Sequence, residues 1–337
     1  MSANAAAFPH SFDLCLHTQI LEENSVSTMA SYDHIMNEEK SVSTSKILVI
    51  GATGYIGRFV ALAAVAAGHP TYALLRPTTA FDAAKEKCLH ELKDSGVIIV
   101  YAMQGIDVVI SNVGGAQLTD QLNIVDAIKE IGTVKRFLPS EFGHDIDRDN
   151  PVEPGLSFYK EKRLIRRAVE AANIPYTYIC CNSIAGWPYF YHTHPSELPP
   201  PQDQFEIYGD GNIKAYFVTG EDIGKYTIKA VEDVRTVNKI VHFRPPKNFL
   251  TLNELAAIWE KKIGKTLPRV CISEQDLLDL AKANNIPESI VASLTHDIFI
   301  NGCQYNFKME EPKDVEVCEL YPEILYTTVQ DFFDGYL

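Results

Sequence analysis

The fold is decided by one stretch, in which the apolar run Lys46-Ile-Leu-Val-Ile50 leads directly into Gly51-Ala-Thr-Gly-Tyr-Ile-Gly57. The β-branched run predicts a strand that is buried in a parallel sheet. Glycines spaced as GxxGxxG between a strand and a helix favour a tight turn that lets the backbone approach a pyrophosphate at the helix N-terminus. A glycine-rich turn that binds nothing is the alternative, which the strand–helix context disfavours. The residues predicted to contact a dinucleotide here are Gly51, Ala52, Thr53, Gly54, Tyr55, Ile56 and Gly57.

Strands and helices alternate from this stretch to residue 182. Such alternation predicts an α/β fold with a Rossmann-type, doubly wound parallel sheet whose helices cover both faces. The further strands are predicted at 71–75, 97–101, 107–111, 136–138 and 176–181, and the helices at 58–67, 85–94, 117–131 and 158–172.

The pattern changes after residue 182. A loop rich in Pro, His and Tyr is predicted at 188–201, a hairpin within 205–218, and helices at 252–263 and 274–284. No flexible linker separates this part from the rest, which favours a smaller α/β lobe over an independent domain. We therefore predict a disordered acidic leader (1–45), a Rossmann domain that binds the cofactor (46–182) and a C-terminal lobe that mainly binds substrate (183–337).

Composition excludes several classes of protein. The 337 residues include 30 Lys and Arg against 44 Asp and Glu, and the resulting formal charge of −14 disfavours nucleic-acid binding. No apolar run reaches the roughly 18–20 residues of a membrane span. Seven dispersed cysteines without a CxxC pair predict neither a disulfide framework nor a metal site. Since the leader lacks signal-peptide and transit-peptide patterns, we expect a cytoplasmic protein.

The second predicted strand indicates which dinucleotide binds. An enzyme that uses NAD places an acid about 20 residues after the glycines, where the acid holds the ribose hydroxyls. Arg76 stands there instead, and a guanidinium suits the 2′-phosphate of NADPH. Lys85 is a second candidate cation, with Lys87 as its rival. A solvated charge at the strand end is the alternative interpretation of Arg76.

Two segments carry candidate acid–base groups. His144 follows the fifth predicted strand, at the edge where open α/β sheets place their active sites, and an imidazole can give or take a proton. In the next helix Tyr159, Lys162 and Arg166 can share a face. A Tyr-x-x-x-Lys reductase would need lysine where Arg163 stands, so Lys162 is the better acid–base candidate. A structural loop histidine and a solvated helix face are the alternatives.

The chain resembles the isoflavone-reductase-like, NmrA-type atypical short-chain reductases of plants, over residues 46–337. The long stretches that agree with this resemblance include Pro151-Val-Glu-Pro-Gly-Leu156, Ile207-Tyr-Gly-Asp-Gly211, Lys214-Ala-Tyr-Phe217 and Asp297-Ile-Phe-Ile-Asn-Gly-Cys303. Three more strings resemble the members that reduce flavan-3,4-diols: Arg136-Phe-Leu-Pro139, Ile179-Cys-Cys-Asn182 and Thr295-His-Asp297.

The resemblance implies an NADPH-dependent removal of the 4-hydroxyl from a flavan-3,4-diol such as leucocyanidin. The product is a 2,3-trans-flavan-3-ol such as catechin, in flavonoid and proanthocyanidin synthesis. In the implied reaction a substrate phenol loses its proton, the hydroxyl leaves as water to give a quinone methide, and hydride then reaches C4. The resemblance further implies that Lys162 and His144 are catalytic, that Tyr159 lies near the flavonoid, and that Arg76, Lys85 and Arg166 contact the cofactor.

Two other functions stay open at this point. The first is a sister activity in the same family, on a phenylcoumaran, pinoresinol or isoflavone substrate, because these reductases share the cofactor and the lysine. The second is an NADP-binding, NmrA-like protein without catalysis. The presence of His144 and Lys162 argues against the second function. The oligomeric state is not predicted.

One connection departs from the family pattern. Only Ala102-Met-Gln-Gly105 separates the third predicted strand from the fourth, where a parallel crossover needs a dozen or more residues. In a sheet of order 3-2-1-4-5-6 this connection must pass from one side of the first strand to the other, and four extended residues reach only about 14 Å. Either the chain drops or reroutes its third strand, or the sequence derives from an incomplete gene model or alternative splice, with Met29 or Met36 as the true start.

Overall fold

A parallel sheet is the centre of the fold. The computed structural model describes residues 44–76, 83–103, 105–185 and 199–337. Almost all of the predicted acidic leader and most of the predicted 188–201 loop lie outside these residues. Ser45–Leu337 forms one compact unit. Among the described residues, no helix combines the length and the apolar character that a bilayer span needs.

Up to residue 182 the strands and helices follow in the chain order that the alternating pattern predicts, and further elements follow beyond it. The strands are β1 Ile47–Ile50, β2 Thr71–Leu74, β3 Ile98–Val100, β4 Val108–Ser111, β5 Arg136–Leu138, β6 Thr177–Cys180, β7 Ser183–Ile184, β8 Phe205–Tyr208, β9 Lys214–Val218, β10 Lys239–His242, β11 Phe249–Thr251, β12 Arg269–Ile272 and β13 Asp314–Glu316. The α-helices are α1 Tyr55–Ala66, α2 Ala83–Asp94, α3 Gln121–Ile131, α4 Gly155–Ala171, α5 Gly220–Glu232, α6 Leu252–Ile263, α7 Glu274–Lys282, α8 Glu288–Phe299, α9 Val317–Leu320 and α10 Val329–Asp334.

The main sheet has the strand order β3-β2-β1-β4-β5, and every neighbouring pair is parallel. A parallel bridge between Phe137 of β5 and Tyr176 joins this sheet to β6. β6 pairs in turn with β10, and β10 pairs with β13. The predicted Rossmann-type parallel fold is therefore confirmed.

The side chains of β1 alternate between two apolar cores. Ile47 and Val49 pack with residues of α1 and α5, whereas Leu48 and Ile50 pack with residues of α3 and α4. Because alternate side chains of a strand point to opposite faces, a fully buried strand needs cover on both. This is why the apolar run before the glycines, with no polar residue inside it, forms the centre of the sheet.

The third strand is present in spite of the short connection, so the expectation that it is dropped or rerouted is wrong. β3 ends at Val100 and β4 begins at Val108, which leaves residues 101–107 for the crossing instead of 102–105. Seven extended residues reach about 25 Å, while three strand spacings and a return along a short strand add to about 24 Å. Met103 and Ile106 are buried in the core that α3 and α4 cover.

A further apolar core organises much of the C-terminal region, with Phe217, Trp259 and Phe333 among its members. The hairpin predicted within 205–218 is wrong, because its two strands belong to different sheets. β8 pairs in parallel with β12, and β9 lies between β7 and β11. Residues after 183 also supply β10 and β13, which form a second parallel sheet with β6, and α5, which packs in one core with β1.

Candidate active site

Glycines shape the turn between β1 and α1. Gly51 has a φ of +79°, and a Cβ at this position would lie 2.5 Å from the carbonyl oxygen of Asn112. A Cβ on Gly57 would lie 2.2 Å from the carbonyl oxygen of Gly51. α1 begins after Gly54 without a side-chain cap and without an acid in its first turn. The turn therefore leaves the positive end of the α1 dipole open to an anion.

Polar atoms without partners lie beside this turn. Both amide atoms of Asn112 and the hydroxyl of Ser111 are buried, and among the described residues none of the three has a hydrogen-bond partner. These residues stand at the C-terminal end of β4, next to β1. A buried polar group without a partner costs about 1–3 kcal/mol, so we expect a bound group to supply one. The glycine cradle and these free polar atoms fit a dinucleotide phosphate.

We expect Gly57→Ala to lower the stability by about 1–3 kcal/mol, because the added methyl overlaps backbone that cannot move freely. We also expect it to remove the rise in melting temperature that NADPH gives. The measurement is thermal unfolding with and without saturating NADPH. Gly114→Ala is the matched control at the same edge, since its Cβ would meet only the Oε1 atom of Gln117, at 3.9 Å. An unchanged NADPH-induced rise in Gly57→Ala would contradict the cradle.

The two predicted phosphate-binding cations lie where the sequence places them. Arg76 is exposed two residues after β2 ends, and Lys85 is half-buried in the first turn of α2. Its rival Lys87 is exposed on the same helix. Residues 77–82, which connect Arg76 to α2, lie outside the described residues. The role of both cations in binding a 2′-phosphate therefore stays a prediction.

The loop after β5 holds the candidate histidine. Phe142 has a φ of +39°, a strained conformation for a bulky residue of the kind that gathers at functional sites. Asn182, two residues after β6, donates its backbone N–H to the carbonyl oxygen of Gly143 at 3.0 Å and so braces the loop. His144 is 7% exposed, and its Nδ1 lies 2.7 Å from the hydroxyl oxygen of Tyr159 on α4.

The surroundings of this His144–Tyr159 pair set its protonation. Burial, with a smaller effect of the Lys162 ammonium, lowers the pKa of His144 to about 4. Burial, reinforced by Cys303 and Asp149, raises the pKa of Tyr159 well above its usual 10. Near neutral pH the pair therefore consists of a neutral imidazole and a neutral phenol.

Lys162 lies one turn beyond Tyr159 on α4. Its Nζ donates to the carbonyl oxygen of Glu141 at 2.6 Å and stands 5.2 Å from the centre of the Phe158 ring. Burial lowers the pKa of Lys162, and Glu141 partly offsets that effect. An amine with a lowered pKa can exchange a proton with a phenol more readily than an exposed lysine can.

Contacts with the segment that follows β4 connect the acid–base residues to the glycine turn. A Cβ on Gly115 would lie 3.4 Å from the Phe158 ring, and the Ser140 hydroxyl donates to the carbonyl oxygen of Val113 at 2.9 Å. Val113 directly follows Asn112, whose carbonyl oxygen packs against Gly51. The structure thus brings His144, Tyr159 and Lys162 to the same edge of the sheet as the predicted cofactor turn.

Arg166 does not lie open to a cofactor, in contrast to the contact that the resemblance implies. Its side chain is fully buried, and its guanidinium binds Glu141 at 2.5 and 2.9 Å and Asp145 at 2.9 Å. Asp147 accepts a further contact at 3.1 Å. Since all three acids precede α4 in the chain, Arg166 holds the loop that carries His144. A direct cofactor contact would require this ion-pair network to break.

Known proteins with related sequences match nearly the whole described chain. The family model described as the NmrA-like family matches residues 43–333. The chain belongs to the NmrA-like family.

Several NmrA-like relatives are reductases. Leucoanthocyanidin reductase of Desmodium uncinatum is 53% identical over 88% of this chain and 81% of its own length. A phenylcoumaran benzylic ether reductase of Ginkgo biloba is 48% identical over 87% of this chain and 99% of its own length. The structure of leucoanthocyanidin reductase from Vitis vinifera in binary complex with NADPH has a TM-score of 0.83 and 55% identity, covering 86% of this chain and 99% of that chain.

Three short segments of the sequence resemble the NmrA-like members that reduce flavan-3,4-diols, namely residues 136–139, 179–182 and 295–297. All three are buried. Arg136 donates to the carbonyl oxygen of Ala230 at 2.7 Å and to the Thr236 hydroxyl at 3.1 Å, which ties β5 to the end of α5. Cys181 packs in the core, where burial raises the pKa of its thiol to about 12. Asp297 is buried on α8. These residues therefore belong to the packed interior of the fold.

Sequence reasoning missed several neighbours of His144 in this NmrA-like site. Gln304 Nε2 lies 3.2 Å from His144 Nε2 and donates to the Ser183 hydroxyl at 2.6 Å. Asp149 and Cys303 offer ligand atoms that lie within 4.8 Å of one another and of His144. Cys303 ends one of the family strings, but no spacing or periodicity in the sequence indicates that these residues meet the histidine.

Proposed function

We propose that the chain is an NADPH-dependent reductase that removes the 4-hydroxyl of a flavan-3,4-diol such as leucocyanidin and forms a 2,3-trans-flavan-3-ol. The observation that carries the proposal is the meeting of Lys162 with the His144–Tyr159 pair beside the glycine turn. The 53% identity to a leucoanthocyanidin reductase favours this substrate over others of the family. The oxidoreductase class and the cofactor rest on the family and on the neighbour solved with NADPH.

Residues of the glycine turn would hold the cofactor phosphates, with Asn112 beside them and Arg76 and Lys85 at the 2′-phosphate. When bound, NADPH supplies the hydride that reduces C4 of the substrate. The chain itself contributes binding, orientation and proton transfer. Gly51 and Gly57 contribute by having no Cβ, since a side chain at either position would collide with the backbone that shapes the turn.

Lys162 would favour loss of the phenol proton of the substrate, because its ammonium can pair with the resulting phenolate directly or through a water. The Glu141 carbonyl accepts one N–H of its ammonium, so the position of Nζ is fixed while its other bonds can reach a ligand. Loss of the phenol proton allows the 4-hydroxyl to leave. General acid–base catalysis of this kind contributes about 10²–10⁴ in rate.

The His144–Tyr159 pair would protonate or position the leaving hydroxyl. Both side chains are buried, so their hydrogen bond works in a region from which water is largely excluded. Tyr159 lies one turn before Lys162 on α4, so that a flavonoid between them could contact both residues.

Single-turnover reduction with NADPH tests the proposal. Leucocyanidin is compared with phenylcoumaran, pinoresinol and isoflavone substrates under the same conditions, and product formation and NADPH oxidation are both followed. We expect leucocyanidin to react fastest and to yield a 2,3-trans-flavan-3-ol. Faster reaction of a phenylcoumaran would assign the chain to the sister activity, which the 48% identity to the Ginkgo biloba enzyme makes the second candidate.

A non-catalytic NADP-binding protein would bind NADPH and reduce none of these substrates. The short crossing at 101–107 begins at the end of β3, on the side of the sheet where the adenosine half of the cofactor is expected. Thermal unfolding with saturating NADPH therefore accompanies the turnover assay, because a bound ligand at 100 times its Kd stabilises by about 2.7 kcal/mol. The division of the chain at residue 183 and a cytoplasmic location also stay proposals.

We expect Arg76→Gln to weaken NADPH binding about 10- to 100-fold, as loss of a charge-assisted hydrogen bond costs about 1.5–3 kcal/mol. Binding of NADH should change little, because NADH lacks the 2′-phosphate. The measurement is fluorescence titration of both nucleotides. Lys87→Gln serves as the control, since Lys87 is exposed on α2. Equal weakening of NADH and NADPH by Arg76→Gln would argue against a 2′-phosphate contact.

A further inference from the structure

The side-chain amide of Gln304 has a fixed orientation. Its Oε1 accepts a hydrogen bond from the backbone N–H of Tyr216 on β9, at 2.7 Å. Because a backbone N–H can only donate, the carbonyl end of the amide must face Tyr216. The NH2 end therefore faces the Ser183 hydroxyl at 2.6 Å and Nε2 of His144 at 3.2 Å.

This orientation decides which nitrogen of His144 carries the proton. A neutral imidazole has one N–H and one acceptor nitrogen. The Gln304 amide offers only N–H groups to Nε2, so Nε2 must be the acceptor and Nδ1 must carry the hydrogen. Nδ1–H then donates to the Tyr159 hydroxyl oxygen at 2.7 Å. As that oxygen accepts from His144, the hydroxyl proton of Tyr159 must point elsewhere.

We propose that Gln304 is a positioning residue that holds His144 as its neutral Nδ1–H tautomer, so that the pair acts on the leaving hydroxyl by aiming the Tyr159 O–H. An imidazolium would place an N–H of Nε2 against the Gln304 NH2 group, two donors face to face. The inference rests on the proposed function for its catalytic meaning.

The groups around the imidazole agree with a neutral ring. Lys162 and Tyr159 approach from α4, Asp149 from the segment before α4, and Cys303 from the segment after α8. Lys162 disfavours a second positive charge beside it. Burial, reinforced by Asp297 and Asp145, raises the pKa of Asp149 to about 8, so this carboxyl is largely neutral at pH 7 and gives an imidazolium little support.

The tautomer can be read directly by ¹⁵N NMR of the full chain with ¹⁵N-labelled histidine, without cofactor or substrate. His144→Asn identifies the two ring signals. We expect hydrogen on Nδ1 in the unmodified chain at neutral pH. Gln304→Glu presents an acceptor to Nε2, so the hydrogen should move to Nε2 and protonation of the ring should shift upward by about 1–3 pH units. Gln304→Met removes the donor without adding a charge, and Nε2–H should appear.

Two controls separate Gln304 from its neighbours. Tyr159→Phe should leave the hydrogen on Nδ1, because Gln304 still donates to Nε2. Ser183→Ala should also leave it there, because Tyr216 still orients the amide. Hydrogen on Nε2 in the unmodified chain, or a tautomer that follows Tyr159→Phe and ignores both Gln304 variants, would overturn the inference. Since no substrate is involved, absence of flavan-diol reduction would refute the proposed function and leave this result standing.

Discussion

Lys162→Ala is expected to lower the turnover of leucocyanidin by about 10²–10⁴ while NADPH binding is largely retained, as removal of a general acid–base group typically has this effect. The reason is local: Nζ of Lys162 is the amine that the Glu141 carbonyl fixes beside the His144–Tyr159 pair. Single-turnover rates and NADPH titration measure the two effects separately.

Lys160, an exposed lysine on the same helix, supplies the control for the Lys162→Ala experiment. Lys160 is exposed, and its amine makes an ion pair with Glu153 at 3.6 Å. Lys160→Ala should therefore leave both turnover and NADPH binding unchanged. If Lys162→Ala reduced leucocyanidin at the full rate, the assignment of this lysine to the proton transfer would fail.

Arg166→Met is expected to destabilise the fold by about 3–5 kcal/mol, the usual cost of removing one partner from a buried ion pair. Glu141 would keep a buried carboxylate without its cation, and Asp145 would lose one of its two arginine partners. Because Glu141 and Asp145 flank His144 in the same loop, turnover should fall as well. Urea unfolding monitored by fluorescence gives the change in the free energy of unfolding.

Arg167→Met is the matched control, because Arg167 is the next residue on α4 and also contacts Asp147, at 2.8 Å. Its side chain is 54% exposed, so its ion pairs should contribute only about 0–1 kcal/mol. A similar small loss in both variants would show that the buried network does not hold the loop. The double variant Arg166→Met/Glu141→Gln should regain part of the stability, since the uncompensated charge of Glu141 is then removed. That result would support the role of the buried network in holding the loop.

The parts of the fold that the sequence predicts are those with local causes. β1 and the glycine turn follow from a short apolar run and three glycines, and β5 is observed at the predicted residues. The third strand could not be judged from the sequence, because its retention depends on where β3 ends and β4 begins. The observed connection has seven residues, three more than predicted, and only the longer connection can span the distance from β3 to β4.

The residues of the candidate site also fall into those that local sequence predicts and those that only the folded structure reveals. Helical spacing correctly places Lys162 and Tyr159 on neighbouring turns, and loop position indicates His144. Spacing does not tell what Arg166 faces, since a cation on a helix can meet a cofactor phosphate or a buried carboxylate equally well. Gln304 lies 160 positions from His144 in the chain, so only the folded structure shows their contact.

The exposed third strand has a consequence for handling the protein. Residues 97–103 read Val-Ile-Ile-Val-Tyr-Ala-Met, a run without charge or proline, and among the described strands β3 lies at the edge of the main sheet. Ile98 is 50% and Tyr101 63% exposed. An uncharged, apolar edge is a template for pairing with other chains. Aggregation on heating or concentration is therefore expected to start at this edge, opposed chiefly by the repulsion between chains that each carry a charge of −14.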